Sequence, residues 1–465
     1  MNTPIELNKT KGILPIKFFL SEDMMPANGT ISQLERLANS NGVINHVAVL
    51  PDVHSKGRNI CPTGVSIATK GTIIPRAIDT GINCGMRMIK TDIDASELTP
   101  ENIDLLFARL KEKVPVYLHS RDTISNEDVF EILLNGGRWS QKKYGLSDEE
   151  MDCIEDRGTL PTDAETLEEI LEAIPEKSIK KGRRSLGTLG DGNHFLELQE
   201  IEEVLHPEFA DLLGLHKGKV MFMMHTGSRG VGSKMMKGFL KMHEADFASQ
   251  AEKEGRTNQI WHLDLNSAIG KSYMRALSAV SNFGFANRIA ITEKLRETMQ
   301  EIFAEKRVEM PLLYDCSHVS IKHEKVDGEN VLVHRHGASR ALPPSLMADH
   351  NIFSQTGQPL PIPGSMGARS YIGVADEGAL ASFCSVNHGA GRVMDKPEAA
   401  EKFSEGQVEK ELQDKNIRLY RYNSDNLAEQ APNSFKDISK VIKAMKELSL
   451  AQPVVKVKPI AVLKG

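Results

Sequence analysis

The chain has 465 residues, 40% hydrophobic and 26% charged, with a formal net charge of −6. This is the composition of a globular protein with ample core, and it excludes a disordered or uniformly basic, nucleic-acid-coating chain while leaving room for a local basic groove. Five cysteines stand far apart with no CxxC pair, so reduced thiols in a cytoplasmic protein are expected rather than a disulfide scaffold. The first twenty residues lack a signal-peptide layout and no apolar run is long enough to span a bilayer, so no membrane association is expected.

In chain order, HVAVLPDVH (46–54) predicts a short buried strand ending at Pro51. Residues 64–90 predict strands broken by glycine-rich turns. Thr99 as cap and Pro100 at the first position open a helix whose apolar face is Ile103, Leu106, Phe107, Leu110 and Val114. Residues 120–182 are polar with a discontinuous pattern and predict a peripheral helical insert. A strand is expected at 219–230, then helices at about 234–253 and 271–305, the second carrying Asn282 and Asn287 among apolar residues. Residues 330–376 return to strands and Gly/Pro turns.

Several histidines and one cysteine stand beside Gly, Asn or Ser at expected strand ends: Cys84 in GINCGMR, His194 in LGDGNHFLE, His225 in HTGSRG, His318 in DCSHVS and His388 in NHGAGR. Loops at strand ends on a rigid scaffold are where sites are built. Most of the separations exceed thirty residues, which excludes a local zinc finger, so these side chains meet only through the tertiary fold. That would make residues 50–390 one domain around one site. Cys84 with His194, His225 and His318 would form a transition-metal site of thiolate and neutral imidazoles. Gly/Ser turns with arginine recur at HTGSRG, VHRHGASR, IPGSMGARS and HGAGR, nominating Arg229, Arg335, Arg340 and Arg392 as phosphate or RNA contacts. Metal ligands beside anion nests fit chemistry on phosphates.

The ordered motifs PDVH, GINCGMR, LGDGNHFLE, HTGSRG, VHRHGASRALPP, IPGSMGARS, HGAGR and terminal VLKG resemble those of RtcB-type RNA ligases. The resemblance runs from about residue 45 to Gly465. It implies one large compact α+β domain over 1–465, with layered, mixed and mostly antiparallel sheets flanked by helices. It implies joining of RNA 3′-phosphate or 2′,3′-cyclic phosphate ends to 5′-hydroxyl ends, with GTP and two Mn2+ ions, in RNA repair or tRNA splicing. An archease-like activator is a further implied partner. His388 would be the nucleophile that takes GMP. His194 and His225 would hold one metal, His318 the second, and Cys84 would bridge them. The guanylate would lie among Asn193, His194, Phe195, Leu196, Glu197, His318, Val319, Pro363, Gly364, Ser365, Met366, Ser370, His388, Gly389, Ala390, Gly391 and Lys464. The N–H groups of the HGAGR turn would face the α-phosphate. Asp52 could orient His388 through its other ring nitrogen, and the Glu197 carboxylate is a candidate to read guanine.

The sequence departs from that family at three places. Gly81 replaces an aspartate that would bind the second metal; Asp79, two residues earlier, could supply the carboxylate if Gly81 gives the turn an unusual backbone angle. His336 replaces a lysine, and Asn387 precedes the reactive histidine where Cys or Ala is usual. These changes leave two alternatives: a divergent paralogue limited to guanylylation or cyclic-phosphodiester hydrolysis, and an inactive RNA-end-binding protein.

Overall fold

The computed structural model describes residues 3–7, 14–55, 61–119, 124–164, 166–172, 174–253, 260–422 and 426–465. Two sheets carry the fold. The six-stranded sheet runs in the order Ile5–Leu7, Ile16–Phe18, Val43–His54, Thr63–Thr69, Glu329–His336, Val319–Val326. The other, eight-stranded, runs Leu312–Ser317, Gly85–Asp94, Lys219–Thr226, Phe195–Val204, Ala451–Lys464, Ser370–Ala375, Pro359–Ile362, with Arg418–Arg421 pairing in parallel to Ala451–Lys464. Most pairings are antiparallel and two are parallel, giving the mixed α+β architecture expected from the sequence.

Local signals explain several elements. Thr99 accepts a hydrogen bond from Asn102 N at 3.2 Å and Pro100 opens the helix Pro100–Lys113, whose Ile103, Leu106, Phe107 and Leu110 are buried with Val114. The helix Ala268–Ile302 crosses the interior and is buried on every side over residues 279–292. Its two buried asparagines serve neighbouring loops. Asn282 accepts from Leu160 N and donates to Leu133 O, while Asn287 bonds Thr188 N, Thr188 O and Gly227 O. Buried amides are tolerated because these loop groups have no ladder to join.

Four boundaries differ from expectation. The strand expected at 46–54 spans Val43–His54 and passes through Pro51, with an irregular register between Val49 and His54. The strand expected at 219–230 stops at Thr226, because Arg229, in the left-handed region at φ 56°, begins a helix. That helix and the next split at His243, giving Arg229–Met242 and Glu244–Lys253 where one helix was expected. The long helix begins three residues earlier and ends at Ile302.

The expected insert is helical, comprising Asn126–Tyr144, kinked at the non-helical Gly136 (φ 45°), Asp148–Asp152, Leu167–Leu171 and Glu176–Gly182; residues 120–123, 165 and 173 lie outside the described ones. It is not peripheral. Val129, Ile132 and Leu133 are fully buried in one cluster with Ala279, Val280 and Phe283 of the long helix. The Gly136–Gly137 pair allows this. A Cβ at Gly137 would lie 2.4 Å from Arg157 O, and one at Gly136 would lie 2.6 Å from Gly158 O. The chain at 157–158 therefore packs directly on the helix backbone. Discontinuous periodicity hid this burial, because glycine contacts carry no apolar signal.

Candidate functional site

Five neighbouring strands of the eight-stranded sheet bring their chemistry to one end. Ser317 pairs with Gly85, Gly85 with Thr226, His225 with Phe195, and Phe195 with Lys464. Cys84 immediately precedes the second of these strands, His194 precedes the fourth, and His318 follows the first. His318 also opens the path into the six-stranded sheet at Val319.

Cys84, His225 and His318 converge so that one ligand atom from each lies within 4.8 Å of the others. Cys84 Sγ is 3.2 Å from His225 Nε2 and 3.5 Å from His194 Nε2, and the His225 and His318 Nε2 atoms are 3.2 Å apart. His225 Nδ1 lies 3.0 Å from the Asn193 carbonyl, to which it donates. This leaves the Nε2 lone pair facing the cluster. Burial pushes the His225 pKa down to about 3. Burial and the Arg229 guanidinium hold His194 well below the usual imidazole range. Both rings are therefore neutral at pH 7, the form that binds metal. Sulfur and nitrogen donors at this spacing fit a transition-metal ion.

His388 adjoins this cluster, with its ring 4.8 Å, centroid to centroid, from that of His318. Its Nδ1 meets two acceptors, Asp52 Oδ2 at 2.6 Å and Gly337 O at 2.9 Å, and its backbone N–H donates to the same Asp52 oxygen at 3.1 Å. Two acceptors at Nδ1 place a proton there, so the neutral ring carries its lone pair on Nε2. Asp52 is fully buried. Its segment is held by Lys436 Nζ, which donates to Pro51 O and Val53 O, and by close packing of Gly391, at φ 74°, on the Asp52 carbonyl.

A cavity of about 920 Å3 opens over both groups. Its lining includes Cys84, His194, His225, His318 and His388 together with Asn193, Phe195, Val319, Pro363, Gly364, Ser365, Met366, Gly389, Ala390, Gly391, Arg392 and Lys464. Lys464 is buried, and its Nζ donates to Gly192 O at 3.0 Å and His194 O at 3.4 Å.

Other expected contacts are placed differently. Leu196 is core, and Ser370 is buried with its Oγ accepting from Gly364 N. Glu197 does not line the cavity; Gln199 Nε2 donates to it at 2.5 Å, and burial pushes its pKa up to about 8. The Ala390 N–H is spent on Pro363 O, so the HGAGR turn does not present every N–H to a ligand. Arg335 is buried against Glu324 and the carbonyls of Phe383 and Cys384. Arg340 pairs with Glu155 and Asp156. Arg229 lies behind His194, bonded to Thr188 Oγ1 and Val116 O. Of the four nominated arginines, Arg392 alone lines the cavity.

Asp79 lines the cavity but is not in the Cys84–His225–His318 cluster. One carboxylate oxygen accepts from Thr80 N and the other lies 3.8 Å from His336 Nε2. Gly81 is not in the left-handed region; Asn83, at φ 51°, takes that role in the turn. A Cβ at Gly81 would meet only Cys84 Cβ, at 3.9 Å.

Sequence reasoning missed the residues that hold these loops. Arg288 binds Asp315, Asn83 O and Thr226 O, tying the Cys84 turn to the His225 strand. Glu155 binds the backbone before His318. Periodicity marks such residues as anomalous charges inside an apolar pattern, but not what they hold.

The profile of the family described as tRNA-splicing ligase RtcB matches residues 33–465. A tRNA-splicing ligase RtcB of Methanococcus maripaludis is 32% identical, covering 93% of this chain and 91% of its own. One of Thermococcus kodakarensis is 32% identical over 95% and 92% respectively. An RNA-splicing ligase RtcB homolog of Entamoeba histolytica is 33% identical over 94% and 83%.

Proposed function

This chain belongs to the tRNA-splicing ligase RtcB family, and from that membership and the cavity geometry we propose that it is an RNA ligase acting through a covalent histidine–GMP adduct on His388. The substrates are an RNA end with a 3′-phosphate or 2′,3′-cyclic phosphate and an end with a 5′-hydroxyl, and GTP supplies the guanylate. The observation that carries the reading is the His388 ring, proton fixed on Nδ1 by Asp52 and Gly337, with Nε2 left as nucleophile beside a metal-ligand cluster.

Cys84, His225 and His318 would hold one divalent ion, with His194 Nε2 near enough to Cys84 to share in a second. Manganese there would neutralise phosphate charge as a Lewis acid. The chain's own residues do the rest. Asp52 stabilises the imidazolium character that develops as Nε2 bonds to the α-phosphorus of GTP and the bond to the leaving pyrophosphate breaks. Lys464 and Arg392 add positive charge to the cavity wall, and the Phe195 ring offers a face for a base. Glu197 is protonated at neutral pH where it stands, so a guanine-reading carboxylate requires its burial to be relieved on nucleotide entry.

The test is incubation with labelled GTP and Mn2+, a denaturing gel, and ligation of defined RNA ends. An acid-labile, hydroxylamine-resistant adduct is expected, absent in His388→Ala. Labelling that persists in that variant overturns the nucleophile assignment. Adduct without joining would instead favour the paralogue restricted to guanylylation, which the all-sulfur-and-nitrogen cluster without a carboxylate at position 81 gives reason to test.

A further inference from the structure

We propose that Glu155, delivered by the helical insert, is a positioning residue for His318; the inference rests on reading His318 as a metal ligand. Glu155 is 1% exposed. Its Oε2 accepts from both Ser317 N, at 2.7 Å, and Ser317 Oγ, at 2.9 Å. Its Oε1 faces Lys322 Nζ at 2.9 Å and Arg340 Nε at 3.2 Å. The two oxygens thus do different work: one anchors the residue before His318, the other is a counterion for two buried cations.

The placement is specific. Leu312–Ser317 is the edge of the eight-stranded sheet, with Gly85–Asp94 on its inner side. The outward N–H of its last residue therefore has no strand to meet, and Glu155 takes it. The approach is set by Ile154, which bridges Asp315 in parallel, and by Asp315 N, which donates to Cys153 O. Immediately afterwards Asp156, Arg157 and Gly158 all take left-handed backbone angles, at φ 53°, 50° and 67°. Three such residues in succession are held this way only where surroundings determine them.

The same carboxylate reaches the nucleophile's side. Arg340 ends a strand whose partners are Ser385–Asn387, the three residues before His388. Ala338 of that strand donates to the His318 carbonyl at 3.2 Å. Glu155 therefore fixes the spacing between a metal-ligand loop and the nucleophile's strand. Groups that orient a ligand from behind typically govern metal affinity by about 10–100-fold.

Two variants of the full chain separate anchoring from charge balance. Glu155→Asp keeps the charge but withdraws the carboxylate by about 1.5 Å, one carbon–carbon bond. Glu155→Gln keeps the reach and an acceptor but removes the charge. The readouts are Mn2+ and Co2+ titration, the 15N signal of the His318 ring in metal-free protein (assigned with His318→Ala), and melting temperature. Glu155→Asp should weaken ion binding about tenfold or more and move the His318 signal, while Glu155→Gln leaves both near parent and lowers melting temperature. Parent-like titration and ring signal in both variants, or losses that follow the charge instead of the reach, overturn the proposal. If Glu155→Asp does not fold, Ser317→Ala deletes one of the two donors and should move the same signal; an unmoved signal overturns the proposal. Failure of the parent to bind either ion would sink the metal reading alone, since the metal-free ring signal still decides the positioning.

Discussion

Asp52 uses one oxygen, Oδ2, for both the ring and the backbone of His388, at 2.6 Å from Nδ1 and 3.1 Å from N. The His388 ring is therefore held at Nδ1 by this buried oxygen together with the Gly337 carbonyl, 2.9 Å away. Asp52→Asn retains the shape and removes the charge. Its expected effect is a rate of GMP-adduct formation lower by about 10²-fold or more, with melting temperature within a few degrees of parent. Rapid-quench labelling measures it; an unchanged rate would leave Asp52 with a purely packing role.

Gly81→Asp should tighten divalent-ion binding. Its backbone is outside the left-handed region and the nearest atom to a new Cβ is Cys84 Cβ at 3.9 Å, so a Cβ is accommodated next to a residue of the cluster. A carboxylate would add the oxygen donor that favours manganese over softer ions. We expect Mn2+ affinity to rise about tenfold, read by titration. No gain in affinity shows that position 81 does not face the ion.

Stability should carry a pH signature from Glu197. Its folded-state pKa, pushed by burial from 4.5 to about 8, means the native state holds a proton that the unfolded state releases between those values. Unfolding free energy therefore falls as pH rises through that window. Glu197→Gln removes the titration, so the parent should lose stability relative to the variant between pH 5 and pH 8, by on the order of a few kcal/mol. Denaturant unfolding of both proteins at the two pH values gives the difference, and parallel behaviour refutes the protonated state.

Lys464→Met keeps the apolar stem in the strand and deletes the ammonium that donates to Gly192 O and His194 O. Adduct yield should drop about tenfold or more through loss of a charged hydrogen-bonding group on the cavity wall. Melting temperature should shift little. Deleting Lys464 and Gly465 is a poorer test, because the Lys464 backbone also accepts from Tyr422 N. A labelling yield equal to parent would make Lys464 dispensable.

The local signals readable in the sequence are those in which side-chain type determines geometry. Thr99–Pro100 marked a helix start, and the glycine-flanked histidines marked strand ends that do converge. What could not be read is which partner a charge finds. Arg335 and Arg340 sit in glycine-rich motifs that look like phosphate clamps, yet both are consumed by acids, Glu324 in one case and the insert's Glu155 and Asp156 in the other. A motif reports the charge of an arginine but not the counterion that tertiary folding brings to it. Asp79 shows a related limit: alternation places it on the cavity wall, as found, but does not tell that the turn directs its carboxylate to Thr80 and toward His336.

His318 stands where the chain leaves one sheet and enters the other, with its imidazole 3.2 Å from His225 of the eight-stranded sheet. An ion held by both rings is thus a rivet through the seam. Its binding free energy would add to stability at this junction, because the ligands sit at the strand ends that meet there. Chelation should then accelerate unfolding and loosen amide exchange along both flanks of the seam, beyond the loop that carries the ligands.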